Sequence, residues 1–95
     1  MDETASIRIF DALAQTTRLR VYRLLLSRDR NGMDSGEIAV AAGLSKSAMS
    51  RSLAILAGAG LVRAERQGRR AVYTAVAGAL ADAATFAGTA AVADG

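Results

Sequence analysis

The sequence predicts a mainly α-helical domain of the α+β class, with about five helices and one two-stranded β-hairpin. Three observations lead to this class. Apolar residues recur at helical spacing along most of the 95-residue chain, and glycine-bearing turns separate the periodic segments. One stretch, LVRAERQGRRAVYTAV, instead has strand-like composition on both sides of a glycine turn, which is typical of a hairpin.

Length and composition favour a single domain over residues 1–95, with a lean core. Hydrophobic residues make up 52% of the chain, but 22 residues are alanines, so few large side chains are available. Burial of apolar surface in a subunit interface would stabilise such a domain.

Several kinds of chemistry are excluded or disfavoured by residue usage. The chain has no cysteine and no histidine, which excludes disulfides and thiolate or imidazole metal sites. We therefore expect no cofactor and no metal, and an enzyme has the least support because a phosphate loop and paired acids are also missing. The N-terminus does not resemble a signal peptide, and Asp82 interrupts the small apolar residues of 76–93. We expect no membrane span and a cytoplasmic location.

Positive charge gathers in one third of the chain. Residues 44–76 contain six basic residues and a single acid, Glu65, whereas the rest contains six basic and eight acidic residues. Because phosphate neutralisation releases counterions, this asymmetry favours a polyanionic partner. A solvated charge bias without a ligand is the alternative.

Two amphipathic helices are predicted at the start of the chain. The first spans about Glu3–Leu13, and a break at residues 15–17 follows, where either threonine is a candidate cap for the second helix. The second helix has the sequence RLRVYRLLLSR. The apolar face of the first helix is Ile7, Phe10 and Ala14, with Ile9 and Leu13 beside it, and the inward residues of the second are Leu19, Tyr22, Leu25 and Leu26.

Residues 35–58 predict two short helices joined by a glycine turn. Asp34 and Glu37 have capping-box spacing for the third helix. Gly43 tolerates the positive φ that ends this helix, and Ser45 is placed to cap the fourth. Such a pair of helices is a helix-turn-helix.

The fourth helix is predicted to have one apolar and one polar face. Met49, Leu53 and Leu56 recur at helical spacing and should face the core. The opposite face is polar and cationic without an acid, which suits the floor of a DNA major groove; an ordinary solvated surface is the alternative. The candidate DNA contacts on this face are Lys46, Ser47, Ser50 and Arg51, with Ser45 also able to reach a phosphate.

Residues 61–76 predict a basic hairpin directly after the helix-turn-helix. A hairpin in this position is a wing, whose tip can reach phosphates or an adjacent minor groove. A plain turn kept soluble by arginine is the alternative. With Met33 as a candidate short strand, the order helix, helix, short strand, helix, helix, strand, strand, helix describes a winged helix-turn-helix. The expected wing contacts to DNA are Arg66, Gln67, Arg69 and Arg70.

The tail predicts a closing helix over about residues 79–92. Its face is built of small residues, which allow two helices to approach closely. We therefore expect residues 1–14 and 79–93 to form a homodimer interface, with a frayed C-terminus as the alternative. The expected interface residues are Ile7, Phe10, Leu80, Ala83, Ala84, Phe86 and Ala87.

Several motifs resemble the ArsR/SmtB family of winged-helix transcriptional repressors. Residues 13–20 (LAQTTRLR) resemble the segment entering the family's second helix, usually LADPTRLR. Residues 43–53 (GLSKSAMSRSL) are similar to its recognition helix, typically GLSQSTVSRHL, with Ser52 where histidine is common. Residues 58–62 (GAGLV) and 66–73 resemble the helix exit and the wing. Single pieces of this pattern recur in other winged-helix families, including MarR-like proteins.

The resemblance implies a homodimer that binds an imperfect inverted repeat in duplex DNA and represses its operon. The cysteine pair of the family's metal sensors is absent from residues 36–40 (GEIAV), and Asp82 has no histidine partner, so we expect no metal. The effector, if there is one, is organic or a partner protein. Two alternatives remain open: a winged-helix module that binds another protein, and a MarR-like regulator of a small organic effector.

Overall fold

Within residues 1–28 and 31–94, which the computed structural model describes, the chain forms five helices and three strands, with side chains described as far as Thr89. Asp29 and Arg30 of the predicted turn lie outside the described residues. The element order confirms the predicted fold class, mainly α with a β wing. The helices are α1 (Glu3–Leu13), α2 (Thr16–Leu26), α3 (Ser35–Ala42), α4 (Lys46–Gly58) and α5 (Ala77–Asp94), and the strands are β1 (Met33–Asp34), β2 (Val62–Gln67) and β3 (Arg70–Ala75).

The three strands form one antiparallel sheet in the order β1-β3-β2. The wing consists of β2 and β3, paired from Val62 opposite Ala75 to Gln67 opposite Arg70. The predicted short strand at Met33 is present as β1, and it pairs with the other edge of β3. It therefore ties the wing to the residue that precedes α3.

The core lies where the helices meet the sheet. Tyr22, Ile38, Met49 and Leu56, from α2, α3 and α4, are almost completely buried, and Leu61 joins them just before β2. Full burial of one such side chain contributes about 1.5–3 kcal/mol. The helix-turn-helix is therefore held by its apolar face, and its opposite face remains at the surface.

The start of α2 differs from the prediction. Gln15, and not a threonine, is the N-cap residue, and its side-chain Oε1 accepts a hydrogen bond from the Arg18 backbone N–H at 3.0 Å. Thr16 is already the first residue of the helix, so its hydroxyl is too far along the chain to serve as the cap. The Arg18 guanidinium donates to the Ala12 carbonyl oxygen at 2.6 Å, which closes the end of α1 against α2.

Two leucines of α2 that we expected inside lie at the surface. Leu19 is 41% exposed and Leu26 is 42% exposed, whereas Val21 is fully buried. The buried stripe of α2 consists of Val21, Tyr22 and Leu25. Compared with the predicted face, the helix is rotated so that Val21 points into the core and both leucines lie at the edges of the stripe.

The buried face of α1 is turned in a similar way. Ser6, Ile9 and Ala12 face the core. Ile7 and Phe10, which the spacing placed on the apolar face, are 59% and 40% exposed. These two large side chains are therefore on the surface of a single chain.

The closing helix α5 packs along α1 and begins two residues before the predicted start. Ala83, on the inner face of α5, is completely buried in the core of the chain. None of the described helices combines the length and hydropathy needed to cross a bilayer.

Candidate nucleic-acid interface

The turn between α3 and α4 is fixed by backbone geometry. Gly43 ends α3 in the left-handed conformation, with φ of 68°, as its position predicted. The next backbone N–H, that of Leu44, donates to the Ala39 carbonyl oxygen at 2.9 Å. Ser45 then caps α4, because its hydroxyl accepts from the Ala48 N–H at 3.2 Å. These contacts set the angle at which α4 leaves α3.

The two faces of α4 separate as predicted. Met49, Leu53 and Leu56 are at most 1% exposed. Ser52, at the position where the ArsR resemblance has histidine, is buried as well, so it cannot reach a partner. The exposed residues of the outer face include all the candidate contacts: Lys46, Ser47, Ser50 and Arg51.

The wing presents its cations near a two-residue turn. Gly68 has φ of 67°, at the first turn position, where a short hairpin favours glycine. Arg69 is the second turn residue, and Arg66 and Gln67 lie on the adjoining end of β2. All three side chains are exposed.

Arg70, which the sequence placed with the DNA contacts, has two acidic partners in the chain itself. Its Nη2 lies 2.9 Å from Asp34 Oδ2 and 2.9 Å from Glu37 Oε1. The Glu37 backbone N–H, assisted by the Arg70 guanidinium, holds the pKa of the Asp34 carboxyl below its usual value. Sequence spacing could not reveal this contact, because β3 reaches α3 only through the fold.

A shallow cavity of about 220 Å³ lies between the start of α2 and α4. Gln15, Thr17 and Arg18 line one side, and Arg51 and Ile55 line the other. Sequence spacing alone does not place the start of α2 beside the polar face of α4. The resemblance of residues 13–20 to a family segment was the available signal.

The residues expected at a dimer interface differ in their exposure. Ile7, Phe10, Ala84 and Ala87 are exposed in the single chain, and Leu80 and Phe86 are half-buried. Ala83 is different, because the chain's own core encloses it completely. It supports α5 from inside and has no surface to offer a partner, which corrects its assignment.

Comparison with known proteins identifies the family. A sequence model of the MarR family matches residues 15–71, which is more than half of the chain. The chain belongs to the MarR family. The matched range of this MarR-family chain runs from the cap of α2 to the start of β3, so it contains the helix-turn-helix and most of the wing.

Solved structures of ArsR-like regulators share the fold. An ArsR-like transcriptional regulator from Rhodococcus sp. RHA1 is 26% identical, with a TM-score of 0.80 over 96% of this chain and 84% of that chain. The homodimeric winged helix-turn-helix DNA-binding domain of a possible ArsR-family regulator from Mycobacterium bovis is 32% identical, with a TM-score of 0.73 over 96% of this chain and 80% of that chain. These neighbours confirm the predicted relationship to ArsR-type winged-helix regulators.

A relative from Mycobacterium tuberculosis bears the name uncharacterized HTH-type transcriptional regulator. It is 36% identical over 74 residues, covering 77% of this chain and 62% of the relative. The chain therefore spans less than two thirds of that protein's length. Together, the comparisons place this chain in a family of winged-helix transcriptional regulators.

Proposed function

We propose that this chain is a homodimeric, sequence-specific DNA-binding protein that represses transcription by occluding a promoter. A set of cations without protein partners supports this proposal most directly. Within the described part of the chain, Lys46, Arg51, Arg66 and Arg69 are exposed and none forms an ion pair. Cations of this kind on α4 and the wing can neutralise phosphates and release counterions.

The proposed roles follow from position. The outer face of α4 enters the major groove, where Ser47, Ser50 and Arg51 reach base edges. Lys46 contacts a phosphate beside the start of the helix, and the Ser45 hydroxyl is largely committed to capping. Arg66, Gln67 and Arg69 hold the flanking backbone or the adjacent minor groove.

The proposed dimer pairs α1 and α5 of one subunit with those of another. Ile7 and Phe10 supply the large exposed apolar side chains, and Ala84 and Ala87 supply a small-residue surface on α5. A two-fold dimer requires two half-sites about 34–36 Å, or one helical turn, apart. We therefore propose an imperfect inverted repeat as the operator.

Selection of bound duplexes from a random-sequence pool tests this function. We expect enrichment of an inverted repeat with half-sites about 10 base pairs apart. The double variant Lys46→Ala/Arg51→Ala should fail to enrich it. Arg23→Ala, which removes an exposed charge from α2 outside the proposed DNA and dimer surfaces, should enrich it as the wild type does.

An unenriched pool would overturn specific recognition. In that case the winged helix would serve as a protein-binding module, with its basic surface used for docking. Weak binding of all duplexes with equal affinity is the corresponding signature.

A further inference from the structure

We propose that Arg70 is a positioning residue that fixes the wing against α3, and that it is not a phosphate contact. Arg70 is the first residue of β3, and it is the wing arginine that meets carboxylates of another element. Its effect on DNA affinity rests on the proposed function. Its effect on the wing of the free protein does not.

The Arg70 guanidinium bridges two acids. Its Nε donates to Asp34 Oδ2 at 3.0 Å, and its Nη2 donates to Glu37 Oε1 at 2.9 Å. A planar guanidinium can direct two N–H groups at once, whereas an ammonium group acts as a point charge. The contact therefore uses a property specific to arginine.

Both acids are already held in place by the cap of α3. Asp34 Oδ1 accepts from the Glu37 backbone N–H at 2.8 Å, and Glu37 Oε1 accepts from the Asp34 N–H at 3.0 Å. Exposed ion pairs usually contribute little because two flexible side chains must be ordered. Here the capping box has ordered the acids beforehand, so mainly Arg70 loses side-chain freedom.

The local charge disfavours a phosphate at Arg70. One guanidinium faces two carboxylates, so the cluster carries a net negative charge. A DNA phosphate would have to displace an acid or approach both of them. Arg66 and Arg69 face no such competition within the described residues.

The position of the cluster explains what it can control. The β1–β3 ladder consists of two residue pairs and ends at Asp34 opposite Val72. Arg70 lies two residues farther along β3 toward the wing tip, on the same face of the strand as Val72. The ion pairs therefore extend the hold of α3 on the wing beyond the ladder. Because Gly43 fixes α4 against α3, this contact sets the wing relative to α4.

Charge-conserving variants test the proposal on a duplex recovered from the random pool. We expect Arg70→Lys to weaken binding about 3- to 10-fold, with a salt dependence like that of the wild type, because lysine keeps the charge and loses the fork. The matched control is Arg63→Lys, at an exposed arginine of β2 that is assigned no DNA contact and forms no ion pair within the described residues, and it should change neither quantity. Wild-type affinity for Arg70→Lys, together with a salt slope lower by about 0.9 for Arg70→Gln, would identify a phosphate contact and overturn the proposal.

Amide hydrogen exchange in the free protein provides a second readout. Arg70→Lys and Glu37→Gln should each accelerate exchange of the β1 and β3 N–H groups several-fold, whereas Arg69→Lys should not. The amide oxygen of Glu37→Gln still accepts the capping hydrogen bond, so the helix start is preserved. Unchanged exchange in both test variants would refute the positioning role, and this result does not depend on whether the wild type or any variant binds DNA. Failure of the wild type to bind any duplex selectively would instead refute the proposed function.

Discussion

The Tyr22 hydroxyl donates a hydrogen bond to the Val76 carbonyl oxygen at 3.2 Å. Tyr22 is 1% exposed in α2, and Val76 lies between β3 and α5. The Val76 N–H donates in turn to the Leu61 carbonyl oxygen at 2.8 Å. Burial raises the pKa of the Tyr22 phenol, so the donor stays protonated. These contacts fix the point where the chain passes from the wing to the closing helix.

Tyr22→Phe should destabilise the protein by about 1 kcal/mol, because it removes a part-buried hydrogen bond to the Val76 carbonyl, which keeps the Ala79 N–H as its other donor. Urea unfolding followed by circular dichroism measures the change. Tyr73→Phe is the matched control, since the Tyr73 hydroxyl makes no hydrogen bond within the described residues and the side chain is half-buried. Equal stability losses in the two variants would contradict the assigned role of the hydrogen bond.

Gly32→Ala should cost about 2–4 kcal/mol. Gly32 has φ of 68°, and an added Cβ would meet the Tyr73 carbonyl oxygen and lie 2.8 Å from Thr74 Cγ2. Gly68→Ala is the control, because Gly68 has a similar φ of 67° and open space around its Cα. It should cost about 1 kcal/mol from backbone conformation alone. Thermal unfolding of the two variants separates the two contributions, and an equal cost would rule out the steric contact.

The lowered pKa of Asp34 predicts acid sensitivity at the root of the wing. Its carboxylate is stabilised in the folded state, so this contribution is present above the usual aspartate pKa and is lost as pH falls through the lowered value. Asp34→Asn keeps a capping acceptor but does not titrate. Between roughly pH 5 and pH 2, the wild type should lose more unfolding free energy than Asp34→Asn. If the unfolding free energies of the wild type and of Asp34→Asn fell in parallel with pH, the stabilising role of the Asp34 carboxylate would be contradicted.

Alanine substitutions in α4 and in the wing, the two parts of the proposed DNA interface, should have different effects on DNA binding. Arg51→Ala should weaken binding to the selected duplex by about 1–3 kcal/mol and relax sequence preference. Arg69→Ala should weaken all duplexes alike and reduce the salt slope by about 1. Fluorescence anisotropy titrations at several salt concentrations measure both effects. Unchanged binding in both variants would show that these roles are wrongly assigned.

Substitution of the exposed apolar residues of α1 tests the dimer. Ile7→Asp/Phe10→Asp should raise the dimer dissociation constant at least about tenfold, which corresponds to roughly 1.4 kcal/mol. Both side chains are exposed in the single chain, so the fold should persist. Val40→Asp is the control, since Val40 is 85% exposed but lies on α3. Sedimentation velocity measures the shift, and a dimer unaffected by the double variant would place the interface elsewhere.

Local signals accounted for most of the fold. The cap at Ser45, the capping box of Asp34 and Glu37 and the left-handed Gly43 depend on residues within a few positions of one another. Each was therefore predictable from spacing. The same reasoning separated the buried and exposed faces of α4, because its apolar residues follow one helical stripe.

Features that depend on long-range packing were harder to predict. Helical spacing does not determine how far a helix is rotated toward the core, so Leu19, Leu26 and Ala83 were placed on the wrong side. The pairing of Arg70 with α3 joins residues more than 30 positions apart, and it exists only because β1 pairs with β3. For an arginine in a basic hairpin, the sequence alone does not show whether the guanidinium faces solvent or pairs with a carboxylate from another element.

The outer face of α4 offers few readers of base sequence, because the Ser45 hydroxyl is occupied by the cap and Ser52 is buried. In the proposed complex, each well-read base pair contributes about 1–3 kcal/mol of discrimination. A genome presents on the order of a million or more competing positions, and choosing one among a million requires about 8 kcal/mol. The three proposed base-contacting residues of one α4, Ser47, Ser50 and Arg51, supply about 8 kcal/mol only if every contact is near its maximum. In a dimer, two copies of α4 bind one operator, so the number of base contacts doubles. The sequence discrimination therefore increases without a longer helix or additional contact residues on α4.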